Sequence, residues 1–161
     1  MIKAMFSPKG GISAEIMRTI GAATTSVKVA AFVFTSTYIG KAIKNAIYFK
    51  HVKVQMVLEA KVAKKKYSLD ELLAVYGVDV RVIDIPRGVM HNKFVIVDDT
   101  KLITGSCNFT NEAENKNYEN VIVSDIPELV AAYVKEFDKL WAISIAVQPP
   151  VAVKNIIVNA Y

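Results

Sequence analysis

The sequence contains little cysteine and little histidine. Its one cysteine, Cys107, excludes a disulfide within the chain. No spacing of Cys and His is typical of a zinc site, and the two histidines, His51 and His91, are too few for a multi-histidine metal site. We therefore expect no metal site in a single chain.

Long hydrophobic runs are also missing. The longest uninterrupted apolar stretch, residues 29–34, is far shorter than the roughly 18 residues that a membrane-spanning helix needs. The first residues lack the apolar core of a secretory signal, so we expect a cytoplasmic protein as written, or a periplasmic or secreted one if a signal was removed. With 53% hydrophobic residues, seven Gly and five Pro, the 161-residue chain is neither disordered nor collagen-like. These features indicate one globular domain.

Charge is distributed unevenly along the chain. Residues 1–66 contain 12 Lys or Arg and two Asp or Glu, whereas the remainder is net acidic and brings the formal charge to +5. A basic segment predicts a polyanionic partner such as nucleic acid, although lysines on solvated helix faces explain the same count. The candidates for phosphate contacts are Lys64, Lys65 and Lys66 in the run 61–66, and Arg87 in a Pro-Arg-Gly loop. The alternative for the lysine run is a solvated loop.

Helix-like and strand-like patterns alternate along the sequence. They predict helices around residues 12–23, 37–49, 69–76 and 128–141, a helical turn at 109–114, and strands at 26–34, 52–58, 78–83, 93–97, 101–104 and 118–123. The strands 93–97 and 101–104 flank a short polar turn and are expected to form a hairpin. The alternation predicts an α/β sandwich with a mixed sheet flanked by helices.

The residues that carry chemistry lie around this hairpin. His91 and Lys93 are two positions apart at the start of a predicted strand, so their side chains share one face. Asn108 follows a Gly105-Ser106 turn at the end of the next strand, and the hairpin can bring it back beside that pair. An imidazole can attack phosphorus, while an ammonium and an amide stabilise charge on the non-bridging oxygens. The three groups together therefore predict a phosphodiester substrate.

The spacing His91-x-Lys93-x4-Asp98-x6-Gly105-Ser106-x-Asn108 resembles the HKD signature of the phospholipase D superfamily. Nearly the whole chain is similar to the small bacterial nonspecific endonucleases of that superfamily, the Nuc-like nucleases. The resemblance implies a phospholipase D-like sandwich with one HKD domain per chain. It also implies a homodimer, because the superfamily builds each active site from two HKD motifs.

The resemblance further implies a role for each site residue. One His91 attacks phosphorus to form a phosphohistidine, and the His91 of the second copy protonates the leaving oxygen. Lys93 and Asn108 hold the phosphate with help from Ser106, and Glu119 orients the imidazole. The remaining signature residues, Asp98 and Gly105, are expected to be structural. This chemistry needs no metal or other cofactor and leaves 5′-phosphate and 3′-hydroxyl ends.

We therefore expect a homodimeric, metal-independent endonuclease domain over residues 1–145 and a C-terminal extension over residues 146–161 that forms an edge strand or an arm. Two other functions stay open. One is a phospholipase D or phosphatidyltransferase acting on lipids, although such enzymes usually carry two HKD motifs in a longer chain. The other is a nucleic-acid-binding module without hydrolytic activity, which the presence of all the motif residues disfavours. Cys107 is expected to serve packing, and His51 to be a surface residue.

Overall fold

Eight strands, all within residues 1–63 and 68–147 that the computed structural model describes, form one mixed sheet. They are β1 (Ile2–Phe6), β2 (Ser26–Ala31), β3 (Lys53–Glu59), β4 (Asp79–Ile83), β5 (Lys93–Val97), β6 (Lys101–Gly105), β7 (Asn120–Ser124) and β8 (Ile145–Ala146). Their spatial order is β1-β7-β6-β5-β2-β3-β4-β8. Strands β2, β3 and β4 run parallel, and the other neighbouring pairs are antiparallel. The predicted α/β fold with a mixed sheet and a hairpin at β5–β6 is confirmed.

Helices cover both faces of this sheet. Within the described residues they are α1 (Ile12–Gly21), α2 (Thr37–Lys50), α3 (Ala60–Ala63), α4 (Asp70–Val75), α5 (Asn111–Asn115) and α6 (Pro127–Ile143). On one face Ile16 of α1 and Ile43 of α2 belong to the same buried cluster as Val95 of β5. On the other face Phe137 of α6 packs against Phe94 of β5. Because both faces are covered, every residue of β5 is buried, which explains the continuous apolar run in its sequence.

Strand β2 is shorter than the predicted strand 26–34 and ends at Ala31. The chain leaves the sheet there: the ring of Phe32 packs against His91, and Phe34 forms an isolated bridge with Phe109. The apolar run continues past Ala31, so hydropathy alone does not mark where the strand ends. The early end of β2 is what frees Phe32 to contact the site.

Strand β1 is not among the elements that the pattern predicts. It lies at the edge of the sheet, where it pairs with β7, and four of its five residues are exposed. Because neither face of β1 is buried, its sequence does not show the alternation of apolar and polar residues that marks a half-buried strand. Its position matters because its end lies beside the start of β7, where the site is built.

At the opposite edge, β8 pairs with β4 through Ala146 and Arg81. Residues 148–161, which make up most of the predicted C-terminal extension, lie outside the described residues, as do Lys64, Lys65 and Lys66. None of the described helices combines the length and the hydropathy required to cross a membrane.

Candidate active site

The ends of neighbouring strands bring the predicted site residues to one end of the sheet. Strand β5 begins and β6 ends there, and the register Phe94↔Thr104 sets the two ends side by side. Strand β7 begins at the same end, antiparallel to β6. The hairpin therefore places the segment 105–108 beside the segment 91–93, although 12 or more positions separate them along the chain.

His91 and Lys93 are in direct contact. The Lys93 ammonium donates to the carbonyl oxygen of His91 at 2.6 Å and lies 3.0 Å from its Nδ1. The ring centroid of Phe32 lies 4.5 Å from that of the imidazole and 5.2 Å from Lys93 Nζ. An ammonium has no acceptor, so Nδ1 accepts in this contact and the ring proton of a neutral imidazole is on Nε2. His91 as a whole is exposed.

Lys93 is a buried cation, with only 6% of its surface exposed. Burial lowers the pKa of Lys93, and the negative charge of Glu119 offsets part of this by raising it. None of the ion pairs within the described residues includes Lys93. A cation that no carboxylate contacts is suited to bind an oxygen of an incoming phosphate.

Asn108 contributes a side-chain amide that lacks a full set of partners. Its Oδ1 is buried and accepts no hydrogen bond from any residue that the structure describes. A buried acceptor left in this way costs about 1–3 kcal/mol. Rotation of the amide exchanges its oxygen for its NH₂ group, so Asn108 can either accept a hydrogen bond or donate one to a phosphate oxygen.

Gly105 allows β6 to approach β7 closely where Ser106 is placed. A Cβ at this position would lie 2.1 Å from the carbonyl oxygen of Asn120, so any other residue would force the strands apart. Beyond Gly105, the Ser106 N–H donates to that same oxygen at 2.9 Å, and the Ser106 hydroxyl oxygen accepts from the Asn120 N–H at 3.1 Å. The glycine thus fixes the serine at the site.

Glu119 contacts Ser106 rather than the imidazole. One carboxylate oxygen accepts from the Ser106 hydroxyl at 2.6 Å, and the other accepts from the Asn117 amide at 3.1 Å. Within the described residues no hydrogen bond joins Glu119 to His91, so the orientation of the imidazole that the resemblance implies is not made inside one chain. What the single chain shows is a carboxylate that orients Ser106.

Asp98 lies at the far end of β5, about 16 Å from Lys93 at the usual rise per residue. Its carboxylate accepts from the backbone N–H groups of Thr24, Thr25 and Ser26 and from both threonine hydroxyls. Burial raises the pKa of Asp98, but these hydrogen bonds outweigh it and hold the pKa well below its usual value. Asp98 therefore pins the hairpin turn to the α1–β2 connection and does not reach the cluster around His91.

Two other residues with reactive side chains play no part in this cluster. Cys107 is buried, and burial together with the negative charges of Glu119 and Glu114 raises its pKa to about 12. A thiol with such a pKa is not a nucleophile near neutral pH. His51 is an exposed residue that ends α2 in a left-handed conformation.

Of the basic residues predicted to contact phosphate, the structure describes Arg87. Arg87 is exposed in the loop before His91, with a φ of 62°. Lys61, the first residue of the lysine run, donates its ammonium to the carbonyl oxygens of Ile85 and Gly88 and so is bound to the protein's own backbone. The other three lysines of the run lie outside the described residues.

Three contact residues are absent from the predicted site: Ser7, Phe32 and Asn117. The Ser7 N–H donates to the Glu119 carbonyl oxygen at 3.0 Å, and its hydroxyl accepts from the Glu119 N–H at 3.1 Å. Ser7 and Phe32 lie in segments that resemble the family, but they reach the site through strand pairing over long sequence distances. No spacing relative to His91 could have identified them.

The assembled cluster combines a possible nucleophile with groups that bind an anion. It offers an exposed imidazole, a buried ammonium, an incompletely paired amide and an oriented hydroxyl at one end of the sheet. No three His, Cys, Asp or Glu side chains in the described parts of the chain are grouped so as to hold a metal ion. The chemistry that these groups support is attack on a phosphorus centre whose negative oxygens are held by Lys93 and Asn108.

Comparison with known proteins agrees with this chemistry. Residues 16–141 match the family model described as cardiolipin synthase, PLD-like domain. The chain is 35% identical over 127 residues to mitochondrial cardiolipin hydrolase from Homo sapiens, covering 79% of this chain and 50% of that protein. It is 34% identical over 136 residues to phospholipase D from Rickettsia felis, covering 84% of this chain and 67% of that protein.

Among solved structures, the phospholipase D family member Nuc from Salmonella typhimurium superposes with a TM-score of 0.85 at 28% identity. That match covers 92% of this chain and 98% of Nuc, so the shared architecture is essentially complete. By contrast, the chain spans about half the length of the cardiolipin hydrolases that it matches. The family match over most of the chain, and the HKD hairpin that the structure places at one end of the sheet, show that the chain belongs to the phospholipase D superfamily.

Proposed function

We propose that the protein is a metal-independent phosphodiesterase that hydrolyses nucleic acid as a nonspecific endonuclease and works as a homodimer with one shared active site. The observation that carries this proposal is the contact between His91 and Lys93. An exposed imidazole lies 3.0 Å from an ammonium that no carboxylate neutralises within the described residues. In a phospholipase D superfamily member, this pair serves as a nucleophile beside an anion-binding charge.

The reaction proceeds in two steps that use two imidazoles. In the first, Nε2 of one His91 forms a bond to phosphorus while the bond to the leaving oxygen breaks, and that oxygen takes a proton from a second imidazole that is protonated on both of its nitrogens. In the second, the now neutral second imidazole removes a proton from water, whose oxygen attacks phosphorus and breaks the P–N bond. One chain contains one imidazole at the site, so the second comes from another copy.

Both roles require Lys93 to leave the imidazole. In the single chain Lys93 donates to Nδ1, so the ring is neutral with its proton on Nε2, whereas the proton donor must be an imidazolium, which also carries a proton on Nδ1. An attacking ring needs a free lone pair on Nε2, hence a proton on Nδ1 and an acceptor for it. Glu119 is a partly exposed carboxylate at this end of the sheet, and it has no hydrogen bond to the imidazole of its own chain among the described residues. It is therefore available to an imidazole from the second copy.

The phosphate is held by Lys93, Asn108 and Ser106, each of which changes its contacts when the phosphate binds. As a phosphate oxygen arrives, the Lys93 ammonium exchanges its contact with the imidazole for a contact with that oxygen. The Asn108 amide, whose Oδ1 has no partner among the described residues, turns its NH₂ group toward the phosphate and donates to an oxygen. The Ser106 hydroxyl, whose one proton goes to Glu119 in the single chain, donates to the phosphate once it leaves that carboxylate. Such fixed donors stabilise the charge that develops at the transition state.

Exposed aromatic residues beside Glu119 support the homodimer. Tyr118 is 91% exposed, and Phe6 is 65% exposed at the end of β1, opposite Asn120 of β7. Large apolar side chains next to a site that lacks one imidazole are typical of a surface that a partner covers. A second copy related by a two-fold axis would cover them and complete the site.

Charge and family resemblance favour nucleic acid as the substrate. Of the 20 Lys and Arg, 12 lie in residues 1–66, and the chain has the size of the small nucleases that it resembles. The second candidate is a phospholipase D or phosphatidyltransferase type of phosphodiesterase acting on lipids, which the names of the curated relatives favour. A binding module without activity is the third, and the intact cluster disfavours it.

Cleavage assays in excess EDTA test the proposal. Supercoiled plasmid, single-stranded RNA and cardiolipin vesicles are each incubated with the wild type, with His91→Ala and with His51→Ala as the matched control. We expect the wild type and His51→Ala to cut nucleic acid, and His91→Ala to be slower by at least about 10³-fold. Hydrolysis of the vesicles alone would favour the lipid candidate. Loss of wild-type activity in EDTA, or no cleavage of any substrate, would overturn the proposed function.

A further inference from the structure

Glu59, the last residue of β3, is a buried carboxylate without a cation. It is 0% exposed, and no ion pair within the described residues includes it. Its carboxylate instead accepts the Met90 N–H at 2.6 Å and the Lys61 N–H at 3.4 Å. Burying a carboxylate costs several kcal/mol, so stability alone does not account for this residue. Met90, itself 2% exposed, is the residue immediately before His91.

Lys61 holds the same loop at two further points. Its ammonium donates to the carbonyl oxygen of Gly88 at 2.8 Å and to that of Ile85 at 3.0 Å. The loop closes on itself between these points, where the Gly88 N–H donates to the Ile85 carbonyl oxygen at 3.2 Å. Glu59 at the end of β3 and Lys61, two residues later, thus fasten the segment 85–90 through two backbone carbonyls and a backbone N–H.

The topology explains why this segment needs fastening. The chain leaves β4 at Ile83 and enters β5 at Lys93, and β3 and β2 lie between those strands. Residues 84–92 therefore cross the ends of two strands, a distance of about 14 Å at the usual strand spacing, with no helix or strand of their own. These hydrogen bonds hold the crossing segment at residues 85, 88 and 90, the last of which immediately precedes His91.

We propose that Glu59 and Lys61 form a clamp that sets the position of the His91 imidazole, with Glu59 as a positioning residue. The inference rests on the proposed function only in taking His91 as the reactive group. Neither residue belongs to the HKD signature, and within the described residues neither has a hydrogen bond or ion pair to the imidazole. The clamp acts through the backbone of Met90, whose place along the crossing determines where the next residue presents its ring.

Two conservative variants weaken the clamp while keeping side chains of similar size. Glu59→Gln keeps one acceptor for the Met90 N–H but turns an NH₂ group toward the Lys61 N–H, which also donates. Lys61→Met keeps the aliphatic stem and removes the ammonium. Because a misplacement near 1 Å costs about 100-fold in rate, we expect kcat of Glu59→Gln to fall about 10-fold to 100-fold. KM should change by less than about twofold, because the phosphate-holding groups are untouched.

Imidazole NMR supplies a readout that does not depend on turnover. The chain has two histidines, so its imidazole Cε1–Hε1 spectrum contains one signal from His91 and one from His51. Glu59→Gln and Lys61→Met should shift or broaden the His91 signal and leave that of His51 in place. Lys50→Met is the matched control, because Lys50 also donates its ammonium to a backbone carbonyl, that of Gly21 at 2.8 Å, at the other end of the sheet. It should leave kcat and the His91 signal unchanged.

The outcomes separate the clamp from the proposed function. A folded Glu59→Gln variant with wild-type kcat and an unmoved His91 signal would overturn the clamp. If that variant does not fold, Lys61→Met decides by the same two measurements. An inactive wild type would overturn the proposed function, and the NMR comparison would still decide whether these residues position His91.

Discussion

At the scale of single residues, we expect the charge of Lys93 to set the alkaline limit of activity. In the proposed mechanism Lys93 holds a phosphate oxygen only while it is protonated, and burial lowers its pKa. Activity should therefore fall with rising pH at lower pH than an ordinary lysine would dictate. Because the Glu119 charge raises the pKa of Lys93, Glu119→Gln lowers it further and moves the alkaline limb of kcat/KM to lower pH.

The measurement is a profile of kcat/KM against pH from 6 to 11 for wild type and Glu119→Gln. Glu112→Gln is the control, because Glu112 is an exposed carboxylate on α5 outside the site. We expect its profile to match that of the wild type, apart from small screened effects. An alkaline limb that stays in place in Glu119→Gln, or moves to higher pH, would contradict the assignment of that limb to Lys93.

Single residues also show what the sequence could reveal about the site. His91 and Lys93 were predictable because a strand has a two-residue period, and Asn108 because a hairpin reverses the chain. Glu59 and Ser7 were not predictable, since their contacts arise where distant segments meet. In the sequence Glu59 is only a polar residue at the end of an apolar strand. Its burial and its contact with the Met90 N–H are what support the proposed positioning role.

At the scale of elements, the turn between β5 and β6 is fastened by Asp98. Asp98→Ala leaves the donors of the segment 24–26 without their acceptor, so the free energy of unfolding should fall by about 2–3 kcal/mol. This loss of free energy is smaller than five fully buried donors would give, because water reaches part of the turn. The neighbouring variant Asp99→Ala removes an ion pair to Lys28 at a half-exposed position and should cost less than about 1 kcal/mol. Urea denaturation at pH 7 measures both.

Acidification provides an independent check on Asp98. Its pKa in the folded protein lies below that in the unfolded chain, so its contribution to stability is present above the unfolded pKa of about 4 and is lost as the pH falls toward the folded pKa. Wild type should therefore lose stability between about pH 5 and pH 2 more steeply than Asp98→Asn. Equal slopes for the two proteins would show that the carboxylate charge of Asp98 is not what holds the turn.

Whether an element could be predicted from the sequence depends on its position in the sheet. Central strands such as β5 carry long apolar runs because helices cover both of their faces, and amphipathic helices such as α1 show a clear period. The edge strands β1 and β8 give no such signal, because their residues are mostly exposed and their pairing is decided by distant partners. The end of β2 was missed because the apolar residues beyond it turn toward the site instead of continuing the sheet.

At the scale of the whole molecule, the division of charge along the sequence does not become a division in space. The order of the sheet places β2 and β3 from the basic part between β5 and β4 from the acidic part, while β1 lies at the far edge. Lys61 shows the consequence, since its ammonium fastens a backbone loop. A count of lysines along the chain therefore overstates the basic surface that nucleic acid would meet.

The proposed shared active site makes a quantitative prediction about the activity of mixed assemblies. Wild type and His91→Ala are refolded together in varying proportions, and activity is measured at constant total protein. If each dimer needs two His91 imidazoles, only dimers of two wild-type chains are active, so an equal mixture retains about a quarter of full activity and the curve follows the square of the wild-type fraction. Mixtures with His51→Ala should retain full activity at every proportion. A linear decline with His91→Ala, to about half at equal amounts, would mean that each chain carries a complete site, because the activity would then depend only on the number of wild-type chains.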